Sequence, residues 1–234
     1  GHHEAHVHDE AEHPDLGRDL GGLGLEALQF QCLQIVGQHL EVHSPVVTPQ
    51  YADEAADDVR NDGGAHSGLK ADERRRVRKH SKEMEDFFHE EAFSEQELGM
   101  STTYLVLDDG ASQILAYISL CNDAINLEFQ ERTDSGITYG SAPALKIARL
   151  AVSVDFVRRG LGKQLIQFAA FQAQRIRQYS GVFFLTLDCY EHRVSFYESL
   201  GFVRNLIQPV ALRYDSPISM RLGLDAFMES LAVD

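Results

Sequence analysis

Long apolar runs, paired cysteines and an excess of positive charge are all missing from this chain. No stretch approaches the about 18 uninterrupted apolar residues that a membrane-spanning helix needs. The N-terminus is polar and acidic where a secretory signal would be basic and then apolar. A cytoplasmic protein with no membrane partner is therefore expected. The 3 cysteines, Cys32, Cys121 and Cys189, are too few and too scattered for a disulfide framework or a zinc ribbon. They read as small buried hydrophobes. With 21 Lys and Arg against 36 Asp and Glu, the net charge of −15 argues against a general nucleic-acid binder, because phosphate neutralisation needs clustered cations.

What is present is enough for one core of ordinary domain size: 234 residues, 44% of them hydrophobic. The acidity is unevenly spread. Up to Glu73, 15 acidic residues stand against Arg18, Arg60 and Lys70. The same stretch holds 8 of the 11 histidines and is broken by Gly21-Gly22, Gly63-Gly64, Pro45 and Pro49. This is poor material for packing, so residues 1–73 are expected to form a largely disordered extension. One exception is Leu23 to Leu40, where Leu25, Leu28, Cys32, Ile35 and Val36 share a helical stripe. The opening "HHEAHVHDEAEH" invites a metal, but a purposeful site needs about four ligands and an ordered second shell. Adventitious affinity of a His-rich tract is the expectation, and no metal site is assigned. The chain opens at Gly1 without a methionine, which leaves open whether this extension belongs to the functional protein.

From residue 74 to 234 the character is that of a folded domain. "RRRVRKHSKEMEDFFHEEAF" is helical, with Met84, Phe87, Phe88 and Phe93 as a partial apolar stripe. Its cluster Arg74, Arg75, Arg76, Arg78 and Lys79 reads by itself first as a solvated helix face, and is compatible with contact to an RNA backbone. Two β-rich runs, Thr103 to Leu107 and Ile114 to Cys121, flank Asp109-Gly110 and read as a hairpin. After a polar loop containing Gly136 and Gly140, "SAPALKIARLAVSVD" reads as another strand, followed by a glycine turn and a helix from about Leu161 to Tyr179. "VFFLTLD" is apolar throughout, as an interior strand would be. A short helix through Val194 to Leu200 ends at Gly201, and strand-like pieces around Phe202 and Ile218 to Leu222 close the chain. This order describes an α/β or α+β domain with a mixed sheet.

Two features converge on one place. Leu145 and Ile147 are apolar at odd positions, whereas Leu150, Val152 and Val154 are apolar at even ones. Because strand side chains alternate strictly, this slip of phase near Ala148-Arg149 implies an inserted residue, a β-bulge. Such a bulge frees backbone groups to pair with a ligand. Downstream, Gly160 and Gly162 permit positive φ and close approach, and the N–H groups of Arg159 to Lys163 converge where a helix dipole is positive. With Arg158, Arg159 and Lys163 adding charge, the turn is a cradle for phosphate or diphosphate. A dinucleotide fingerprint would need a third glycine at Leu165. The phosphate loop of NTPases would need a glycine near Val157 and a Ser or Thr at Gln164. Both fail.

Taken with its surroundings, "VRRGLG" resembles motif A of the GNAT superfamily of acetyl-CoA-dependent N-acetyltransferases. The family signature is Gln or Arg, two residues, Gly, one residue, then Gly or Ala; Val157 departs from it at the first position. The likeness extends over roughly Met84 to Leu222 and includes "SFYESLGF" at Ser195 to Phe202, similar to the family's "FY...GF" helix and following strand. It implies a mixed, mostly antiparallel central sheet flanked by helices, with a bulged central strand. It also implies that the main chain of Leu150, Ala151 and Val152 receives the pantetheine arm of acetyl-CoA, while Arg158, Arg159, Gly160, Leu161, Gly162 and Lys163 receive the diphosphate. Tyr197 then stands where the thiolate leaves and acts as general acid; the alternative is a tyrosine that fills space in the core. An Asn often found seven residues before this tyrosine is Tyr190 here.

The reaction so implied is direct acyl transfer to a neutral amine, with a backbone N–H near Val152 stabilising the oxyanion. No side chain stands out in the sequence as general base. The segments from "EDFFHEEAF" to "PALKIARLAV" are more similar to toxin-type GNATs of toxin–antitoxin modules, which acetylate the α-amine of aminoacyl-tRNA. Aminoacyl-tRNA and a small antitoxin protein are then the implied partners, and a homodimer stays open. Two alternatives stand beside this: a housekeeping N-acetyltransferase of a small amine or protein N-terminus, and a noncatalytic CoA-binding sensor.

Overall fold

The computed structural model describes residues 29–32, 51–52, 71–108, 113–209 and 216–232. The expectations for the rest of the N-terminal extension, its His-rich opening included, lie outside these residues. The strands are β1 (Gln29–Cys32), β2 (Tyr51–Ala52), β3 (Thr102–Leu107), β4 (Ile114–Asn126), β5 (Ser141–Ser153), β6 (Phe184–Cys189), β7 (Val203–Arg204) and β8 (Ile218–Gly223). The helices are α1 (Ala71–Asp86), continued by a π-helical turn at Phe87–Glu91 into α2 (Ala92–Glu97), then α3 (Phe129–Ser135), α4 (Leu161–Ile176), α5 (Val194–Ser199) and α6 (Leu224–Leu231).

The strands form one sheet in the order β1-β3-β4-β5-β6-β8-β7, with β2 added on β5. Every pairing is antiparallel except β5 with β6. Alternation along the interior strands sends side chains to two cores. On one face Ala116, Ile118 and Val152 join Leu161, Leu165, Phe168 and Ala169 of α4. On the other, Tyr117 and Ala151 pack with Phe87 and Ala92. The Tyr117 hydroxyl, buried there, donates to the Met84 carbonyl at 2.7 Å. This is the expected mixed, mostly antiparallel sheet flanked by helices.

The slip of phase in the sequence marks a real insertion. Along β4 and β5, Ser119 faces Arg149 and Leu120 faces Ile147, so Ala148 has no partner of its own. Gly160, at φ 83°, starts α4 in the left-handed conformation that a side chain disfavours, and the apolar spacing after it produces the helix.

Elsewhere tertiary context overrode local pattern. The stripe from Leu23 to Leu40 predicts a helix, yet Gln29–Cys32 pairs antiparallel with β3. Within "QFQC" the polar and apolar residues alternate, and the free edge of β3 offers backbone partners that an isolated helix would lack. Phe93 belongs to the predicted stripe but is exposed, because the extra residue of the π-turn rotates the chain after Phe87. The loop before β5 conceals α3, started by a reciprocal capping box between Glu128 and Glu131 and ended by left-handed Gly136. α6 was likewise unforeseen.

Glu131 links α3 to the far side of the sheet. Its carboxylate accepts the N–H of Glu128 at 2.8 Å and that of Leu206 at 2.9 Å, and pairs with Arg221, both side chains being largely buried. Glu131→Ala should leave the Arg221 guanidinium without its carboxylate and lower stability by about 3 kcal/mol. The midpoint of urea denaturation measures this.

Candidate active site

β5 and β6 run parallel and paired from Ala144 and Phe184 to Ile147 and Leu187. Pairing stops where the bulge begins. Beyond Ala148 the two strands part, and a cleft opens between them. It is lined by Ala148, Arg149 and Leu150 of β5, by Asp188, Cys189 and Tyr190 at the end of β6, by Arg193 and Tyr197, and by His80 and Met84 of α1. The bulge is stabilised locally: the Ala148 carbonyl accepts Arg149 Nη1 at 2.9 Å. The same guanidinium lies 4.8 Å from the Phe87 ring centroid, over its face.

The polar groups in the cleft are individually held. Lys146 and Asp188 are joined at 2.6 Å across the start of the split. Burial works against the Lys146 charge, but the hydrogen bond and charge of Asp188 outweigh it and raise its pKa. Cys189 is buried, its Sγ 3.5 Å from Met220 Sδ. Burial pushes its thiol up to about 12, so it is protonated at neutral pH and is no nucleophile. Arg193 is also buried; burial brings its pKa down to about 10, with Tyr197 acting the other way, and it remains a cation near neutrality. Tyr197 follows one turn later on α5, half-buried, its ring set edge-on to Phe202 at 5.6 Å.

His80 is 4% exposed and lies parallel to the Tyr190 ring, with centroids 3.3 Å apart and planes 5° apart. The Tyr190 hydroxyl donates to Glu83 Oε2 at 3.1 Å, so two residues of one helix grip one ring. Where the family often has an Asn, this chain has a tyrosine that fastens α1 to the end of β6.

At its C-terminal end β5 leads into the glycine turn. Arg158 and Gly160 both have positive φ, 59° and 83°, a pairing that turns successive N–H groups inward. The first helical bond of α4 runs from Gln164 N–H to the Gly160 carbonyl at 3.1 Å, so the N–H groups of Leu161, Gly162 and Lys163 precede the ladder. Arg158, Arg159 and Lys163 are exposed around them. No acidic residue stands in the first turn of α4. The turn is therefore positive by dipole and by side chain.

Of the residues singled out in the sequence, Leu150 and Tyr197 meet in the cleft. The side chains of Ala151 and Val152 are buried, which leaves their main chain for any ligand. Arg158 to Lys163 stand together at the turn, apart from the cleft lining. The outer edge of β5 at Val152 and Ser153 is taken by β2, which pairs Ala52 and Tyr51 with them. Sequence reasoning missed His80, Arg149 and Arg193. Only Arg193, four residues before Tyr197, carried a spacing signal. Among the described residues no group of His, Cys, Asp and Glu is placed to hold a metal ion, and no helix is long and apolar enough to cross a membrane.

A mixed sheet parted beside a bulge, with an anion turn at one end and a tyrosine at the split, defines an acetyltransferase fold. Residues 101–204 match the family model of the acetyltransferase (GNAT) domain. Among solved structures, the chain is similar to AtaT complexed with acetyl-methionyl-tRNAfMet, at 15% identity and a TM-score of 0.56, covering 87% of this chain and 98% of that one. It is similar to a Tyr-to-Phe mutant of KacT at 15% identity and a TM-score of 0.55, covering 77% of this chain and 96% of that chain. A Tyr-to-Phe mutant of the AtaT toxin bound to the C-terminus of the antitoxin AtaR and acetyl-CoA gives 14% identity and a TM-score of 0.55, over 87% of this chain and 98% of the other. At these identities the likeness is one of fold.

Because its thiol is buried and protonated, Cys189 should resist iodoacetamide at pH 8 in the folded protein and be modified once urea is added. Peptide mapping by mass spectrometry reads both states.

Proposed function

We propose that the protein transfers the acetyl group of acetyl-CoA to the α-amine of aminoacyl-tRNA, as the toxin of a toxin–antitoxin pair restrained by a small partner protein. The observation that carries this reading is the parting of β5 and β6 at Ala148, which puts an open strand edge, Tyr197 and the glycine turn along one strand's course. A donor with an extended amide-containing arm and a diphosphate suits that layout. The main chain of Leu150 and Val152 would receive the arm. Arg158, Arg159 and the N–H groups of Leu161, Gly162 and Lys163 would receive the diphosphate. When bound, acetyl-CoA supplies an activated acyl group, and no enzyme nucleophile is needed.

Tyr197 gives its hydroxyl proton to the departing thiolate. A phenol of pKa about 10 is a weaker acid than a thiol of about 8.5, so this transfer is uphill by about 2 kcal/mol. The Arg193 cation one turn away offsets part of that by favouring the phenolate. For the acceptor, chemistry favours an α-amine: at pH 7, about 14% of an amine of pKa 7.8 is neutral against about 0.04% of a lysine. The fold shared with AtaT, recorded in complex with acetyl-methionyl-tRNAfMet, supports the same choice. So does the basic run Arg74 to Lys79, which lies on α1 directly before His80 at the cleft.

β2 and the donor's arm call on the same edge of β5, so β2 must leave Val152 and Ser153 as the arm enters. Two residues make few ladder bonds, each worth about 1 kcal/mol net. Ala52→Pro, which removes an N–H, should bind acetyl-CoA about threefold or more tightly than the parent in calorimetry; unchanged affinity would show that β2 does not compete.

The function itself is tested with radiolabelled acetyl-CoA and a panel of charged tRNAs. Labelled acetyl-aminoacyl-tRNA is expected, with turnover reduced about 100-fold in Tyr197→Phe while acetyl-CoA affinity is kept. Acetyl-CoA binding without product on any charged tRNA would overturn this acceptor.

A further inference from the structure

Acylation of an amine releases a proton from nitrogen, and that proton needs an acceptor close to the reacting atoms. Among the described side chains lining the cleft, Arg149 and Arg193 are cations, and Asp188 is committed to Lys146 at 2.6 Å. Cys189 is a buried thiol packed on Met220 and offers no thiolate. Tyr190 is engaged with Glu83, and Tyr197 is the proton donor of the reading above. The imidazole among the lining residues is His80. An imidazole is the side chain that keeps a lone pair on nitrogen near neutral pH, and this one is held buried in the lining of the same cleft as Tyr197.

We infer that His80 is the general base that takes the proton from the acceptor nitrogen, and that Tyr190 is the positioning residue that fixes its ring. The inference rests on the transfer reading given above. In balance, the nitrogen–carbon bond forms and the carbon–sulfur bond breaks, with its electron pair leaving on sulfur. The nitrogen's proton goes to His80, and sulfur takes the Tyr197 proton. Return of the proton from His80 to Tyr197 through water restores both groups. The geometry suits a fixed base. The two rings are parallel, 5° apart at 3.3 Å, which removes ring rotation as a freedom. Tyr190 is itself tethered through its hydroxyl to Glu83, three residues after His80 on α1. Base and tether therefore move with one helix, and the departure from the family's Asn at position 190 gains a purpose.

The test uses full-length protein with acetyl-CoA and the charged tRNA that the parent acetylates fastest. His80→Phe keeps a flat ring for Tyr190 and removes the lone pair; His80→Ala leaves room for added imidazole. Acetyl-CoA affinity within about twofold of the parent shows that each variant is folded at the site. The expected result is kcat lower by about 100-fold in both, with imidazole restoring a substantial part in His80→Ala only. Parent-like kcat in His80→Phe would reduce His80 to a packing residue and overturn the assignment. Equal loss in His80→Ala with no response to imidazole would overturn it too. Should the parent itself acetylate no charged tRNA, the acceptor reading fails, an outcome distinct from an active parent with an active His80→Phe.

Discussion

The parting of β5 from β6 at Ala148 is the constraint on which the site depends. One extra residue on β5 puts the strand out of step with β4, and a strand bent there cannot stay in ladder with a straight parallel neighbour. The result is an opening between β5 and β6 beyond Ile147 and Leu187, where β5 meets β2 only at Val152 and Ser153 and side chains on both faces are packed. Ala151 and Val152, buried under different layers, hold β5 in place past the bulge. Arg149 answers the freed Ala148 carbonyl and anchors itself on Phe87. An opening that would otherwise collapse is kept.

Chemistry gathers there because the elements that end at the split bring different groups. β6 delivers Asp188 and Cys189; the turn after it delivers Tyr190 and Arg193; α5 delivers Tyr197; α1 adds His80. The thiol is silenced by burial, which favours direct transfer over a covalent acyl-enzyme. A buried cation, Arg193, interacts with the tyrosine, and a buried imidazole, His80, lines the same cleft.

The same unpaired edge attracts the chain's own backbone. β2, from the acidic extension, pairs with Val152 and Ser153, as free strand edges invite. β1 does so at the other side of the sheet, on β3. Short pairings of this kind are weak, and they join residues far apart in sequence to the domain without a hydrophobic stripe announcing them.

Much of this was legible residue by residue. The odd-to-even shift from Ile147 to Leu150 located the bulge, since alternation in a strand admits no other simple cause. "RRGLGKQL" located the glycine turn that opens α4, since glycine spacing and helix polarity are local properties, and "VFFLTLD" announced an interior strand. Other features were not legible. The strand at Gln29–Cys32 depends on the β3 edge, α3 depends on Glu131 reaching both its own helix start and Arg221, and the outward turn of Phe93 depends on a π-turn with no composition of its own. By itself the sequence determined what is set over a few neighbouring residues: where chain phase slips, where a helix begins, where charge concentrates. Tertiary structure alone decided that His80, more than a hundred residues before Tyr197, lines the same cleft, and that Tyr190 stacks on it. Those encounters are set by packing between distant segments, and nothing in local periodicity encodes them.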